Sequence, residues 1–259
     1  MVTSGASAAP KANLWTYWDN ADPQSTIQID HSSWQLLLSI YVHENPDRIN
    51  RVSYKNFSNQ HTLLLDSYIQ ELSAISPTHL KKNSQLAYWI NLYNALTVQL
   101  VLSHPRKKSI MKMKSSFFSI GPWDDELLTI EGKAVTLNDI EHRILRPIWR
   151  DHRLHFALNC ASIGCPNLSK TAYTSGNAQA LLQKAQSNYL NHPRGLSFVN
   201  NKLLLSSIFK WYQVDFSEDE KGLKAYLAAE LPQKAQRILS SNDSIAYDYD
   251  WDLNEQKSK

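Results

Sequence analysis

An α+β fold is predicted for this chain: a single domain with a central buried helix, several peripheral helices and a small, mostly antiparallel sheet. Three observations carry the prediction. Helix-period segments and short strand-period segments are interspersed without a regular strand–helix–strand alternation. One segment, from Asn83 or Ser84 to about His104, is apolar nearly all round, as expected of a helix enclosed on every side. A chain of 259 residues with 42% hydrophobic content is also long enough to bury a full core around such a helix.

The elements follow from the N-terminus. Met1 to Pro10 is rich in small residues like those that flank a signal-peptidase site, so residues 1–12 read as a disordered remnant after leader removal, and 13–259 as the domain. The expected location is therefore periplasmic or secreted. Asp30 caps a helix with Trp34, Leu37, Leu38 and Tyr41 on one face, ending near Pro46. Arg51 to Phe57 alternates like a strand, and Thr62 to Ser76 reads as an amphipathic helix burying Leu64, Leu65, Tyr68, Ile69 and Leu72. After the central helix, Leu127 to Leu137 gives two short strands about a Glu131–Lys133 turn. Thr136 and Asp139 form a capping-box-like pair that starts a helix through Arg146, stopped by Pro147.

The short apolar run Leu154–Leu158 reads as a buried strand delivering Asn159 and Cys160 to a loop. There follow a helix from about Gly176 to Asn191, a strand pair near Leu196 to Leu205 turning at Asn200–Asn201, and helices at Ser206 to Tyr212 and Leu223 to Leu231. A last helix and the alternating tail Ile245–Trp251 close the chain.

Composition narrows the functional classes. A net charge of +3 on this length gives no reason for a nucleic-acid partner, and the basic run Arg106–Lys108 with Lys112 and Lys114 lacks interleaved aromatics, so it reads as a solvated loop. No segment approaches the roughly 18 consecutive apolar residues of a membrane span. Only seven glycines are present, with no Gly-rich phosphate loop, so no nucleotide cofactor is expected. The eight tryptophans and twelve tyrosines suit either a core or a groove for a small-molecule or peptide ligand.

Three segments carry residues suited to chemistry. On the central helix Asn91 and Asn94 are three apart and share a face, so two amides are buried and must find partners: they tie loops to the core, or one orients an imidazole or donates to an oxyanion. In Asn138–His142, Asp139 and His142 stand at i and i+3, while Glu141 points toward the core side and needs a cationic or donor partner. His142 is then a candidate general base. The segment Leu154–Pro166 holds both cysteines, Cys160 and Cys165, with His155 five residues before the first.

Several outcomes compete for those thiols. Cys160 or Cys165 is a nucleophile activated by His142 or His155; the two bridge; His155, Cys160, Cys165 and His142 ligate zinc, although the four-residue gaps do not match common zinc knuckles; or they are inert core groups. A bridge requires a sharp return, because an extended path between the two would separate their Cα atoms by roughly 16 Å, against at most about 7 Å in a disulfide; Gly164 permits one. Strand alternation turns His155 away from Cys160 and leaves His142 its better partner.

Tyr88–Asn94, Leu137–His142, His155–Pro166 and Ser207–Tyr212 together resemble the family catalogued as domain of unknown function 547, over about residues 80–216. The flanks, Leu14–Trp15, Trp34 and the Tyr-Asp-Tyr-Asp-Trp tail, look like its exported bacterial branch. The resemblance implies a fold and no reaction. Two functional readings stand: a thiol-dependent hydrolase or acyl transferase, distantly like papain or transglutaminases, with Cys160 or Cys165 as nucleophile, His142 as base, Glu141 or Asp139 orienting it, and Asn91 or Asn94 as amide donor; or a non-catalytic periplasmic binding module stapled by a Cys160–Cys165 disulfide.

Overall fold

The computed structural model describes residues 10–114, 121–200, 202–241 and 244–257. Most of the expected disordered start and Asn201 of the expected turn lie outside the described residues. The class is α+β as predicted, and the chain groups into two compact units, one formed by Asn13–Gln186 with the segment from Asp250, the other by Ser187–Tyr249.

In the larger unit, α1 (Ser32–Tyr41) begins where the Asp30 carboxylate accepts the Ser32 N–H at 2.8 Å, and buries Trp34, Leu37, Leu38 and Tyr41. The strands β1 (Val42–His43) and β2 (Arg51–Val52) pair antiparallel. The strand expected through Phe57 stops at Val52, because Ser53 opens a 3₁₀ turn over Tyr54–Asn56 that carries the Tyr54 ring inward. The helix α2 (Asn59–Ser73) is capped by Ser58, whose hydroxyl accepts the His61 N–H.

The central helix α3 (Lys82–Leu102) is buried from Gln85 through Val98, so it meets protein on every side. Two of its polar side chains reach backbone carbonyls: Gln85 Nε2 donates to Pro77 O at 2.7 Å and the Tyr88 hydroxyl donates to Leu72 O at 3.0 Å. The Trp89 ring meets Trp18 edge to face with centroids 5.3 Å apart.

The hairpin β3 (Leu128–Ile130) and β4 (Lys133–Val135) turns on Glu131 and Gly132, both at positive φ (49° and 71°), the backbone a tight primed turn needs. The capping box then forms as read, with Thr136 N–H donating to Asp139 Oδ2 at 3.0 Å and Asp139 N–H to Thr136 Oγ1 at 2.9 Å. Here the prediction of an α-helix ended by Pro147 is corrected. Asp139–Leu145 is a π-helix, and it runs on into α4 (Arg146–Trp149), which contains Pro147 and ends at Arg150 in the left-handed region (φ 50°). A proline removes one donor and crowds the carbonyl about a turn back. The carbonyls of His142 and Arg143 are instead taken by Asn13 N–H at 3.0 Å and Trp15 N–H at 2.9 Å, so the helix passes through.

A second correction concerns Leu154–Leu158, which is not a strand. His152–Phe156 is a 3₁₀ helix started by Asp151, whose carboxylate accepts the Arg153 N–H, and it leads into irregular chain. A five-residue apolar run is compatible with either element, and the capping carboxylate decides for the helix.

α5 (Ala178–Leu190) follows. In the smaller unit β5 (Leu196–Val199) pairs antiparallel with β6 (Lys202–Ser206), where Asn200 takes the left-handed φ of 50° expected at this turn. The helix read at Ser206 to Tyr212 is the shorter α6 (Ile208–Trp211), and a further short helix, α7 (Gln213–Phe216), follows it. α8 (Glu220–Glu230) is capped by Asp219, and α9 (Ala235–Leu239) precedes the tail strand β7 (Ala246–Asp248), which runs parallel to β6. No helix among the described residues is long and apolar enough to cross a membrane.

Candidate functional site

The π-helix places Glu141, His142 and Arg146 inside the larger unit, at 7%, 4% and 6% exposure. Glu141 lies between two contacts: the Tyr93 hydroxyl donates to Oε2 at 3.3 Å, and His155 Nδ1 stands 3.6 Å from Oε1. Burial pushes the Glu141 carboxyl up, but the charges of the adjacent His142, of His155 and of Arg146 outweigh it and hold the carboxyl at about 2. It is a carboxylate throughout the neutral range. Arg146 Nη1 lies 3.0 Å from His142 Nδ1.

His155 stands beside Glu141, and His142, whose charge acts most strongly on that carboxyl, also meets Arg146. Asp139 is drawn off altogether, its carboxylate accepting from Thr136 and pairing with Arg143 at 2.7 Å. The i,i+3 pairing of Asp139 with His142 assumed an α-helical turn, and the wider π turn changes which side chains stack.

The two asparagines of α3 hold separate segments. Asn91 Nδ2 donates to Tyr173 O at 2.7 Å and its Oδ1 accepts the Tyr173 N–H at 3.0 Å. Asn94 Nδ2 donates to Ala157 O at 3.0 Å and its Oδ1 accepts the Asn159 N–H at 2.9 Å. Both amides are engaged at both ends with backbone, which is the loop-tying role, and Asn94 fixes the chain leading to Cys160. The Asn91 amide also meets His31 Nδ1, 3.3 Å away, whose imidazole burial pushes down to about 4 against the opposing charge of Asp30.

The thiol loop turns back as the spacing required, yet the two cysteines are not bridged. Cys160 N–H donates to Cys165 Sγ at 2.9 Å, and Cys160 Sγ lies 3.0 Å from Ser162 Oγ. Each sulfur thus faces a different group, which is why the return does not close a bond. The strained position is Ala161 (φ 59°), and Gly164 is not in the left-handed region. The alternation that separated His155 from Cys160 lapses with the strand. No group of three or more His, Cys, Asp or Glu among the described residues is placed to hold a metal ion, so the zinc set is not assembled.

Residues outside the predicted set complete the loop. Asn159 Oδ1 accepts the Ala161 N–H at 3.0 Å and its Nδ2 donates to Pro166 O at 2.6 Å. The C-terminal segment lies along it: Gly164 N–H donates to Asp250 O, Ile163 N–H to Asp252 O, and Asn254 N–H to Ala161 O. Asn254 Nδ2 reaches Asn159 Oδ1 at 3.3 Å, and its Oδ1 accepts from the Tyr54 hydroxyl at 2.8 Å. Burial raises the Tyr54 phenol, and the charges of Cys160 and Cys165 raise it further, so Tyr54 senses both thiols. Tyr54 also lines a small open recess with Val101, Pro105, Leu253, Lys107 and the Lys55–Glu255 ion pair. Asn159 was visible within the thiol motif, whereas no local signal marks Tyr54 or Asn254.

Neither the curated proteins nor the solved structures give a match to this chain. The family core expected over about 80–216 is found over a shorter span, which leaves Ser207–Tyr212 outside it. Residues 77–190, which hold α3, the Glu141 cluster and both cysteines, match the family model described as protein of unknown function, DUF547, and it is this family that the match supports.

Proposed function

We propose that the protein is a thiol-dependent hydrolase or acyl transferase in which Cys160 is the nucleophile, His155 the base and Glu141 the group that orients it. The observation that carries the reading is the buried pair of Glu141 and His155, 3.6 Å apart, with the carboxyl held at about 2. A carboxylate facing Nδ1 orients an imidazole, the duty of the third member of a nucleophilic triad. Asn94 holds Ala157 and Asn159 to one side chain, which ties the chain after His155 to the chain before Cys160.

Cys160 is half-buried and Cys165 is buried, so an incoming substrate meets Cys160 first. In the proposed reaction Cys160 Sγ attacks the carbonyl carbon of an ester, thioester or amide, its proton passes to His155, and His155 returns a proton to the leaving group. The Ser162 hydroxyl beside the sulfur is the candidate donor to the developing oxyanion. Water, or an acceptor amine or alcohol, then releases the acyl group. The free thiols support the thiol-dependent reading over the binding module stapled by a disulfide. An exported bacterial location, read from the flanking segments, belongs to the same proposal and is tested by fractionation of the native cells.

The test is hydrolysis of simple thioesters and p-nitrophenyl esters by the reduced full chain. Cys160→Ala is expected to lose turnover, and His155→Ala to lose on the order of 10²–10⁴-fold, the usual share of a general base. Turnover by Cys160→Ala equal to that of the unaltered chain on every such substrate sinks the reading.

A further inference from the structure

We propose that Cys160 and Cys165 form a reversible redox pair that takes Cys160 out of service when a hydroperoxide is present. The inference builds on Cys160 as the reactive thiol of the proposed hydrolase and adds its regulation. It stands on geometry. With Cys165 Sγ 2.9 Å from the Cys160 backbone nitrogen, covalent bond lengths limit the Cα–Cα separation of the two residues to roughly 7 Å, at the edge of the range a disulfide spans. The turn that disulfide formation needs is thus already made, held by the Cys165 N–H to Ser162 O bond at 3.1 Å and by Ala161 in the left-handed region.

Exposure sets the order of events. Cys160 is half-buried, and Cys165 is 4% exposed with Sγ directed at backbone, so a small oxidant reaches Cys160. The Cys160 sulfur attacks one oxygen of the hydroperoxide, the O–O bond breaks, and an alcohol or water leaves as Cys160 becomes a sulfenic acid. The Cys165 sulfur then attacks the sulfenic sulfur; the S–O bond breaks, the hydroxyl departs with the Cys165 proton as water, and the S–S bond forms. The hydroperoxide is reduced and two thiols are oxidised, so the electrons balance. A thiol reductant reverses the last step by exchange.

The experiment treats the reduced full chain with a small excess of hydrogen peroxide, alkylates it under denaturing conditions with iodoacetamide and weighs the peptide that contains both residues. The expected result is a loss of about 2 Da with neither cysteine alkylated, restored to two alkylated cysteines by dithiothreitol. In Cys165→Ser the sulfenic acid has no partner, so Cys160 is trapped by dimedone or proceeds to sulfinic acid. Two alkylated cysteines after peroxide, sulfinic acid at Cys160 in the unaltered chain, or a bond only between two copies overturns the proposal. Because the peptide mass is read without turnover, its failure is separate from that of the hydrolase. A disulfide in a chain that hydrolyses nothing discards the enzyme and keeps the pair, and thioester hydrolysis without a disulfide does the reverse.

Discussion

Replacing Glu141 by Gln removes one negative charge from a buried site and leaves the size of the side chain and a carbonyl facing Tyr93. Its cost follows from the structure. The carboxyl sits at about 2 in the folded chain against an ordinary 4.5, and a difference of this size favours the folded carboxylate by about 3 kcal/mol after burial has been counted. The same figure arises when a buried pair loses one partner, here leaving Arg146, His142 and His155 at 6%, 4% and 4% exposure without their counter-charge. Glu141→Gln is therefore expected to lower stability by about 3 kcal/mol at pH 7.

The pH dependence has a definite sign. The folded pKa lies below the unfolded one, so this stability is fully present above 4.5 and drains away as pH falls toward 2, with about 1.4 kcal/mol gone by pH 3.5. Urea unfolding followed by tryptophan fluorescence reports it, since Trp18 and Trp89 lie in the same core as α3. The gap between the two proteins should narrow from about 3 kcal/mol at pH 7 to about half of that at pH 3.5. A gap below about 1 kcal/mol at pH 7, or one that does not narrow, refutes the account of Glu141 as the ionised centre of the cluster.

Two further outcomes are expected. His31, held at about 4 by burial against an ordinary 6.5, binds its proton more readily when unfolded, so stability falls as pH drops below 6.5, by about 2 kcal/mol at pH 5. Denaturant midpoints of His31→Gln across pH 7 to 5 should lack that share of the slope, and an unchanged slope removes His31 as its source. Gly195→Ala places a Cβ 2.1 Å from Tyr189 O and 2.9 Å from Tyr189 C, both backbone atoms, so the chain must shift at a cost of about 3 kcal/mol. Thermal unfolding measures it, and an unaltered midpoint shows that the loop yields without strain.

The parts of the fold legible in the sequence are those whose causes are local. The burial of α3 is written in twenty-one residues with apolar groups on every side, the β3–β4 turn in Glu131–Gly132, and the capping box in Thr136 and Asp139. Misreadings arise where the cause is remote. The π-helix passes through Pro147 because Asn13 and Trp15 supply N–H donors to the carbonyls of His142 and Arg143, and nothing near residue 147 announces them. Leu154–Leu158 carries too few residues for its period to separate a strand from a helical turn. The candidate residue types were accordingly found while their geometry was not: Asp139 was set beside His142 on α-helical spacing, and its carboxylate meets Thr136 and Arg143 instead.

The thiol loop depends on remote partners most of all, and this bears on how its chemistry would be held. Asn94 from α3, Asn159 from the loop and Asn254 from the C-terminal segment satisfy one another and the loop backbone. Each is a buried amide, at 2%, 3% and 1% exposure, and such groups are costly unless every donor and acceptor is matched. A loop meant only to connect two elements would run over the surface with its backbone in water. Residues 159–165 are instead fixed from two distant segments, α3 and the C-terminal segment, with a left-handed alanine at the turn and a half-buried Cys160. Fixing a side chain through packed and hydrogen-bonded neighbours is what a reacting group requires and a passive staple does not. The network therefore favours a thiol that is presented for reaction over one that merely fills the core.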